Sequence, residues 1–568
     1  MYQTSKIRRV LTILLSALFI IALVGCTPSN DEPQASEESA TTAETTQETS
    51  TEDTEEPAAT KYMFGDEMQE ISILTVDMGY EVSFADSEFV KYMEEVTGVH
   101  VNWDFGGTEN SDDFKTVFQT RVVAGADVPD FFYIAGDGMD LAEDGILANL
   151  TEYNIDEVMP NYMAILNEYD FVSQVTAPDG NMYIFPNYMN VNGNQNLYCL
   201  DIRPDWLATL GMDEPTDWDE FKTYLEAVRD NDMNGNGDAT DEVPLTAIWL
   251  GADVVTTFQS AYELHLRVSE GYYPDASGVV QNEWITEDFK NLLKLANEYY
   301  EEGLLTQSFA SNDGSERTAQ ILNNQVGAFC TVTANAHNSV NNKLSESVGD
   351  ENAILLPIMP LKSYTNGNAL SYASDITPGA THIKKTYGIS SDSKNIELVM
   401  KWLDYVAYSD DGIFINSYGL NEGETYEWVE GETEPILTDL VMKSDNGKNY
   451  EMRTRGYYHV SIPYVWNFEL KWMSEWSDDL NQRAWDIREM SLDTPCFPTV
   501  LATPEESEVI ADAKGDLETY KDEMVLKFIL GESDIDAEWD SFVATLKDLG
   551  IDEVTAVKQA QYDRAMSN

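Results

Sequence analysis

Carboxylate and amide side chains alternate along one short segment, which has the sequence DNDMNGNGDATDE from Asp230 to Glu242. Gly235 and Gly237 allow the sharp bend that brings such side chains around one centre. Calcium is bound by hard oxygen ligands with this spacing, as in an EF-hand loop. The segment therefore predicts a structural calcium site, in which the cation would cross-link the loop and neutralise carboxylates that repel one another.

Two registers of this loop fit the spacing of an EF-hand. One begins at Asp230, continues with Asp232 and Asn234, turns at Gly235 and has Asp241 in the twelfth place. The other begins at the next acidic residue and turns at Gly237, and its ligands are Asp232, Asn234, Asn236, the Asp238 carbonyl, Asp241 and Glu242. A solvated Asn/Asp/Gly turn is the alternative to a metal site, because the same composition also forms such turns.

The 12 Trp and 30 Tyr residues offer a second kind of chemistry, since aromatic faces stack on the C–H faces of sugar rings. Trp218 and Trp402 fall in helical patterns, which predicts that they pack in the core. Trp249 and Trp466 fall outside clear periodicity, so we predict that they contact a ligand. Tyr188 is a further candidate for ligand contact.

Strands and helices that could position these residues alternate along the chain. Glu70–Val76 alternates apolar and polar residues and predicts a strand. A helical face follows between Ser87 and Gly98, and residues 99–103 again have period two. Strand, helix and strand at this spacing predict a parallel sheet with crossover helices, and the fold class is α/β.

Two further amphipathic helices are predicted. Thr216 can cap the first of them. Their apolar faces carry Trp218, Phe221, Leu225 and Val228 in the first helix and Met400, Leu403 and Ala407 in the second.

The composition limits the possible partners. The 568 residues include 33 Lys and Arg against 102 Asp and Glu, which gives a formal net charge of −69 at pH 7. Since 43% of the residues are hydrophobic, the chain can form two or more packed domains. The negative charge repels phosphate backbones and excludes nucleic acid as a partner. It also disfavours strongly anionic ligands.

The chain begins with the features of a lipoprotein signal. Basic residues between Lys6 and Arg9 precede an apolar run from Val10 to Val24, which is shorter than the roughly 20 residues that span a bilayer. The run ends Leu-Val-Gly-Cys at Cys26, which resembles a bacterial lipobox. The resemblance implies removal of residues 1–25 and a lipid on the Cys26 thiol at the extracytoplasmic face of the cell membrane. An ordinary secretory signal is the alternative.

An acidic Ser/Thr-rich stalk is predicted over residues 26–62. Residues 27–60 contain no Lys or Arg, ten acidic residues and 13 Ser or Thr. Such a segment cannot bury enough apolar surface to fold, so it would hold the body away from the membrane. Contact with the membrane is therefore expected through the lipid anchor only.

Three cysteines remain beyond the anchor, namely Cys199, Cys330 and Cys496. They are far apart, and no C-x-x-C pair occurs, so we predict buried thiols that pack as small apolar residues. One disulfide bond among them is the alternative.

An ordered set of motifs from about residue 70 onward resembles the family 1 extracellular solute-binding proteins of bacterial ABC transporters, in the subgroup associated with carbohydrate uptake. The motifs are AGADVPDFFYI from Ala124, PDGNMYIFP from Pro178, RPDWLATLGMDEPTDWDEF from Arg203, EEGLL from Glu301, YGLNEGETYEW from Tyr418 and ILGESDIDAEWDSFVATLKDLG from Ile529. The resemblance implies two α/β lobes, a hinge and a ligand cleft between the lobes. Related proteins have a similar acidic loop before an Asp-Glu-hydrophobic-Pro sequence, which favours the register that begins at Asp232. The spacing here departs from theirs by about one residue.

The resemblance also implies a division of the body, residues 63–568. Lobe 1 is predicted over approximately 66–188 and 378–415. Lobe 2 is predicted over approximately 189–377, with a C-terminal helical region over 416–568.

The predicted function is capture of a solute, most plausibly a neutral oligosaccharide, by a monomer that delivers it to ABC permease subunits. A peptide or another non-sugar solute is the alternative. A lipid-anchored glycoside hydrolase is a further rival, but the five His residues form no H-E-x-x-H motif and no G-x-S-x-G motif occurs. A purely structural surface protein would bind no small ligand. We predict a binding protein without catalytic residues.

Overall fold

The computed structural model describes residues 62–567, except for 78, 81, 109–110, 170, 190–196, 249–252, 267–269, 313, 370–371, 374–380, 430–434, 443, 445–447, 460, 467–482, 484–485 and 488–496. The described residues belong to one compact unit, Thr60–Asn568. The predicted signal peptide, Cys26 and almost all of the predicted stalk lie outside them. None of the described helices is both long enough and apolar enough to cross a membrane.

The strands are β1 Gln69–Asp77, β2 Val99–Thr108, β3 Phe131–Ile134, β4 Ile184–Met189, β5 Leu197–Ile202, β6 Val243–Thr246, β7 Tyr272–Pro274, β8 Val280–Asn282, β9 Val326–Val332, β10 Leu356–Pro357, β11 Tyr372–Ala373, β12 Thr381–Ile389, β13 Tyr426–Glu427, β14 Ile436–Leu437 and β15 Val465–Trp466.

The α-helices are α1 Glu88–Thr97, α2 Asp112–Phe118, α3 Met139–Glu143, α4 Ile155–Val158, α5 Pro160–Glu168, α6 Val172–Val175, α7 Pro204–Leu210, α8 Trp218–Asp230, α9 Asp253–Phe258, α10 Glu287–Glu301, α11 Ser315–Leu322, α12 Thr333–Val348, α13 Ile396–Val406, α14 Asp410–Tyr418, α15 Asp439–Met442, α16 Lys448–Thr454, α17 Pro504–Ile529, α18 Ile535–Asp548 and α19 Ile551–Ser567.

Six strands form the first sheet, in the order β15-β4-β12-β3-β1-β2. β1 and β2 are parallel and α1 connects them, which confirms the predicted strand, helix and strand. The Ser87 hydroxyl accepts the backbone N–H of Val90 at the start of α1, and Gly98 ends the helix in the left-handed conformation, with φ 69°. Phe89 and Met93 on this helix are buried in the first core.

Asp130 connects three parts of this sheet. Its carboxylate accepts the backbone N–H of Ser72 on β1 at 2.8 Å and the hydroxyl of Ser393, beyond β12, at 2.5 Å. Asn395, at the start of α13, donates to the same carboxylate at 3.3 Å. Asp130 belongs to the AGADVPDFFYI segment, so at least part of that motif is explained by packing of the fold.

The second sheet has the order β10-β5-β9-β6, and β11 also pairs with β5. Helix α8 covers its core with the predicted residues Trp218, Phe221, Leu225 and Val228, all 0% exposed. The predicted cap at Thr216 is wrong by one position. Asp217 accepts the N–H of Glu220, whereas the Thr216 hydroxyl donates to the Glu220 carboxylate. Helices α17, α18 and α19 complete the second core.

The first core extends far along the chain. Trp402 is 2% exposed there, which confirms its predicted packing role. Buried residues from Tyr418 to Val465 also belong to this core, although the predicted division placed the whole segment after residue 415 in lobe 2. Cys199 and Cys330 are buried thiols, and Cys496 lies outside the described residues.

The chain passes from one sheet to the other twice at corresponding ends, which we call the crossing ends, and a third passage leads from β15 of the first sheet to α17 of the second core. It leaves the first sheet after Met189 and enters the second at Leu197, then leaves after Ala373 and returns at Thr381. β1, β3 and β4 run in the same direction, since β12 is antiparallel to both β3 and β4. Their carboxyl ends therefore lie at the crossing end. The carboxyl ends of β6 and β9 lie at the crossing end of the second sheet, because β9 is antiparallel to β5 and parallel to β6.

Candidate functional site

Two of the three predicted ligand-contact residues lie at the crossing end of the first sheet. Tyr188 lies next to the last residue of β4, and Trp466 ends β15, which is parallel to β4 and pairs with it. Trp249 lies outside the described residues, three positions beyond the carboxyl end of β6 at Thr246. Ligands of α/β folds bind beyond the carboxyl ends of strands, so the backbone positions of Tyr188 and Trp466 are suitable for ligand contact. Their roles as stacking platforms remain predictions.

The acidic loop is folded around the carboxylate of Asp232. Its Oδ1 accepts the backbone N–H groups of Gly235 at 2.8 Å and Asn236 at 3.1 Å, and its Oδ2 accepts that of Gly237 at 2.9 Å. Gly235 and Gly237 have φ of 74° and 93°, a region that residues with a side chain rarely adopt. The two glycines are therefore required by the bend, as their positions in the sequence predict.

Two amides and one carboxylate meet on the inner side of the loop. Asn234 and Asn236 donate to the Asp241 carboxylate at 3.3 and 2.8 Å. Gln325, immediately before β9, donates to the same carboxylate at 3.1 Å. Sequence reasoning missed Gln325, which is 84 positions from Asp241 and has no distinguishing local pattern. The Asp238 carboxylate accepts from Thr240, which leaves its carbonyl for the predicted role.

Asp230 is engaged outside this network. Arg229 donates to its two carboxylate oxygens at 2.8 and 3.1 Å. The carboxylate that organises the turn is instead that of Asp232. This geometry corresponds to the predicted register that begins at Asp232.

Glu242 has a polar atom that lacks a partner. Its Oε1 accepts the backbone N–H groups of Met233 at 2.8 Å and Asn234 at 3.1 Å, whereas Oε2 is buried with no hydrogen bond within the described structure. Burial raises the pKa of Glu242, and the negative charge of Asp241 raises it further. A divalent cation would supply the missing partner, and the oxygen donors around it are of the kind that calcium prefers. No three His, Cys, Asp or Glu side chains of the described chain are grouped closely enough to hold a metal by themselves. Amide and carbonyl oxygens would complete the ligand set.

The raised pKa of Glu242 predicts a pH effect in metal-free protein. The native state binds this proton more tightly than the unfolded state, so the ionised carboxylate costs stability that protonation restores. In chelator at pH 7, we expect Glu242→Gln to have a higher free energy of unfolding than the unmodified protein. The difference should shrink as the pH falls through the raised pKa. Urea unfolding at a series of pH values measures it.

The matched control for this prediction is Glu346→Gln, on an exposed helical position. It removes the same charge from an exposed position, and its stability should follow that of the unmodified protein. A metal-free Glu242→Gln protein that is less stable at pH 7 than the unmodified one would contradict the role assigned to burial.

Another cluster, which sequence reasoning missed, lies beyond the carboxyl end of β1. Arg453 on α16 donates from Nη1 to the Tyr80 hydroxyl at 3.0 Å and from Nε to the Tyr458 carbonyl at 3.2 Å. Tyr450, one helical turn before Arg453, packs edge to face on Tyr80 with ring centroids 5.7 Å apart. The only local signal was that Tyr80 closely follows a predicted strand.

The two sheets, their paired crossings and the strand ends directed to them define a class of two-lobed protein that holds a solute between its lobes. The chain belongs to the bacterial extracellular solute-binding protein family, whose profile matches residues 75–411. This match confirms the family that the sequence motifs predicted, together with the predicted two-lobed α/β fold class. The proteins of this family are binding proteins.

Individual relatives extend the match beyond that range. The fructooligosaccharide ABC transporter substrate-binding protein FusA of Streptococcus pneumoniae serotype 4 is 26% identical over 506 residues, 84% of this chain and 86% of FusA. Lipoprotein LipO of Bacillus subtilis is 23% identical over 275 residues, 47% of this chain and 50% of LipO.

Solved structures share the fold. The alginate-binding protein AlgQ2, in a crystal structure without calcium ion, has a TM-score of 0.71 at 22% identity and covers 89% of this chain and 100% of its own. An EF-hand mutant of FusA from S. pneumoniae in complex with fructo-nystose has a TM-score of 0.67 at 22% identity, over 88% of this chain and 100% of its own.

Proposed function

We propose that this protein captures a neutral oligosaccharide and delivers it to the permease subunits of an ABC importer. The observation that carries the proposal is the arrangement of the crossing ends, where carboxyl ends of strands from both sheets are joined by two crossings. A cleft between the two crossing ends would surround a small solute, and closure of the two lobes would convert binding into a shape that a membrane partner recognises. No bond is made or broken in this function.

The sugar as ligand is supported by the relatives. FusA is named as a fructooligosaccharide-binding transporter component, and AlgQ2 as an alginate-binding protein. Alginate is anionic, but a formal net charge of −69 favours a neutral ligand here. Aromatic residues Tyr188, Trp249 and Trp466 would stack on the sugar rings.

We propose that Cys26 carries a lipid that anchors the protein to the extracytoplasmic face of the cell membrane. The name of its relative LipO, a lipoprotein, supports this anchor. A tethered monomer would meet its permease more often than a freely diffusing one, because confinement near the membrane raises the effective concentration.

We also propose calcium as a structural cofactor of the acidic loop. Asp232, Asn234, Asn236, the Asp238 carbonyl, Asp241 and Glu242 would hold the ion. The partnerless oxygen of Glu242 supports this assignment, as does the mention of an EF-hand in a structural relative. The cation would stabilise the loop without contacting the solute.

A binding experiment tests the transport function. Full-length protein in detergent, supplied with calcium, is titrated with kestose, a mannose-containing N-glycan fragment, an alginate oligosaccharide and a mixture of short peptides. We expect at least one neutral glycan to bind saturably and to raise the melting temperature, because a ligand specific for the native state stabilises it.

The same titration separates the rival functions. Saturable binding of peptides without any glycan would select a peptide-binding protein. Release of shorter sugars during incubation, followed by chromatography, would select a hydrolase. Alginate binding stronger than binding of every neutral glycan would overturn the neutral specificity.

A further inference from the structure

We propose that Tyr80, Tyr450 and Arg453 form a subsite for one neutral sugar unit, in which Arg453 donates to ring hydroxyls and the tyrosines contact the ring. The proposal rests on the proposed function, since it assigns part of the solute site to the first lobe. It adds three residues to the predicted contacts Tyr188, Trp249 and Trp466.

The position of the cluster is set by β1. Tyr80 closely follows Asp77, the last residue of that strand, and therefore lies near the crossing end of the first sheet. The chain after α16 returns to the same strand end: Thr75 donates to the Ser461 carbonyl at 2.6 Å, and the Ser461 hydroxyl donates to the Val76 carbonyl at 3.4 Å. It then continues into β15, whose end is also at the crossing end. The cluster is thus on the side of the sheet where a solute is expected.

Arg453 is unusual for its lack of a carboxylate partner. Within the described structure, Arg453 donates hydrogen bonds to Tyr80 and Tyr458, and it forms no ion pair there. Arg455, on the same segment, contacts both Glu451 and Glu424. In a chain with 102 acidic residues, a half-buried guanidinium without such a partner is left with N–H groups that can donate to a ligand.

The backbone beneath Arg453 is held in a costly conformation. Tyr458, whose carbonyl accepts from Arg453, has a φ of 53°, a left-handed conformation that is unfavourable for a residue with a side chain. Asn416 fixes this turn, since its carbonyl accepts the N–H of Tyr458 at 3.1 Å and its Oδ1 that of His459 at 3.3 Å. Strain retained in this way is common at ligand sites. Here it keeps the guanidinium against Tyr80.

The chemistry of the cluster fits a hydroxylated, uncharged ring. A planar guanidinium can donate to two neighbouring hydroxyls, and the faces or edges of tyrosine rings contact the apolar C–H groups of a sugar. Glu451 and Glu424 are paired with Arg455, but Asp77 ends the strand that Tyr80 closely follows and would repel a sugar carboxylate. A neutral unit gains the hydrogen bonds without this repulsion.

Affinity measurements on full-length protein in detergent test the subsite, with kestose as the first probe. We expect Arg453→Gln and Tyr450→Ala each to raise Kd at least tenfold, whereas Tyr450→Phe keeps the ring and stays within about threefold. Lys401→Gln removes one positive charge from an exposed ion pair of the first lobe, and its Kd should be unchanged. Melting temperatures identify any variant that fails to fold. In that case Tyr80→Phe serves as a milder test, because it removes only the hydroxyl to which Arg453 donates.

Two results would overturn the subsite. One is a Kd for kestose, or for another neutral glycan that the unmodified protein binds, that is the same in Arg453→Gln and Tyr450→Ala. The other is binding that Arg453→Gln weakens, that Arg453→Lys retains and that salt weakens. This pattern would identify an anionic ligand. If the unmodified protein binds no glycan, the proposed function fails. If it binds a glycan and both variants bind it equally well, only the subsite fails, so the two failures are distinguishable.

Discussion

Removal of calcium should lower the melting temperature of this protein by roughly 5 °C, and excess calcium should restore it. A ligand at a hundredfold excess over its Kd stabilises the native state by about 2.7 kcal/mol, and each kcal/mol shifts the midpoint of a large domain by about 2 °C. Without the cation, the carboxylates of Asp232, Asp241 and Glu242 repel one another across a loop anchored to the second sheet. Differential scanning calorimetry in chelator and in calcium measures the shift.

Two variants distinguish the registers of the loop. Asp232→Asn should abolish the response to calcium, because this carboxylate organises the turn. Asp230→Asn is the matched control and should keep the response, since Asp230 is held by Arg229 outside the network. A melting temperature that chelator does not change, with no calcium found by elemental analysis, would remove the cofactor from the proposal.

Replacement of Arg203 by Met should lower the free energy of unfolding by about 3 kcal/mol. Arg203 is 1% exposed and donates to the carboxylate of Asp205 and to the side chain of Asn324 at 2.5 Å. Its guanidinium also lies 4.6 Å from the ring centroid of Trp206. Methionine fills part of the volume but leaves the Asp205 carboxylate, whose side chain is 23% exposed, without its cation.

Arg229→Met is the control for this change. Arg229 pairs with Asp230 at the surface, where water and salt screen the ion pair, so its loss should change the free energy of unfolding little. Urea titrations monitored by tryptophan fluorescence measure the free energy of unfolding of both variants. If Arg203→Met lost no more stability than Arg229→Met, the buried pair would not be the main stabilising contact at the start of α7.

Local sequence patterns predicted those parts of the fold that depend on local geometry. The alternation in β1 and the helical face that ends at Gly98 both follow from side-chain periodicity and capping. The cap of α8 was placed at Thr216 rather than Asp217, because both residue types can cap and only the packed helix decides between them.

Contacts distant in sequence were not accessible in this way. Tyr80 and Arg453 are 373 positions apart, and neither residue has a local pattern that predicts the other. The acidic loop was visible because its oxygen donors are consecutive in sequence. Its contact with Gln325 required the pairing of β9 with β6, which local pattern does not specify.

The contact between Asp241 and Gln325 places the acidic loop beside the amino end of β9, whereas the carboxyl end of that strand is at the crossing end. Seven residues of extended strand separate the two, or roughly 20 Å. Under the proposed function, substitutions at the crossing end would therefore change the preferred sugar without changing the stability that a cation in the loop provides. Homologues of this protein could then differ in the sugar that they bind and still respond to calcium in the same way.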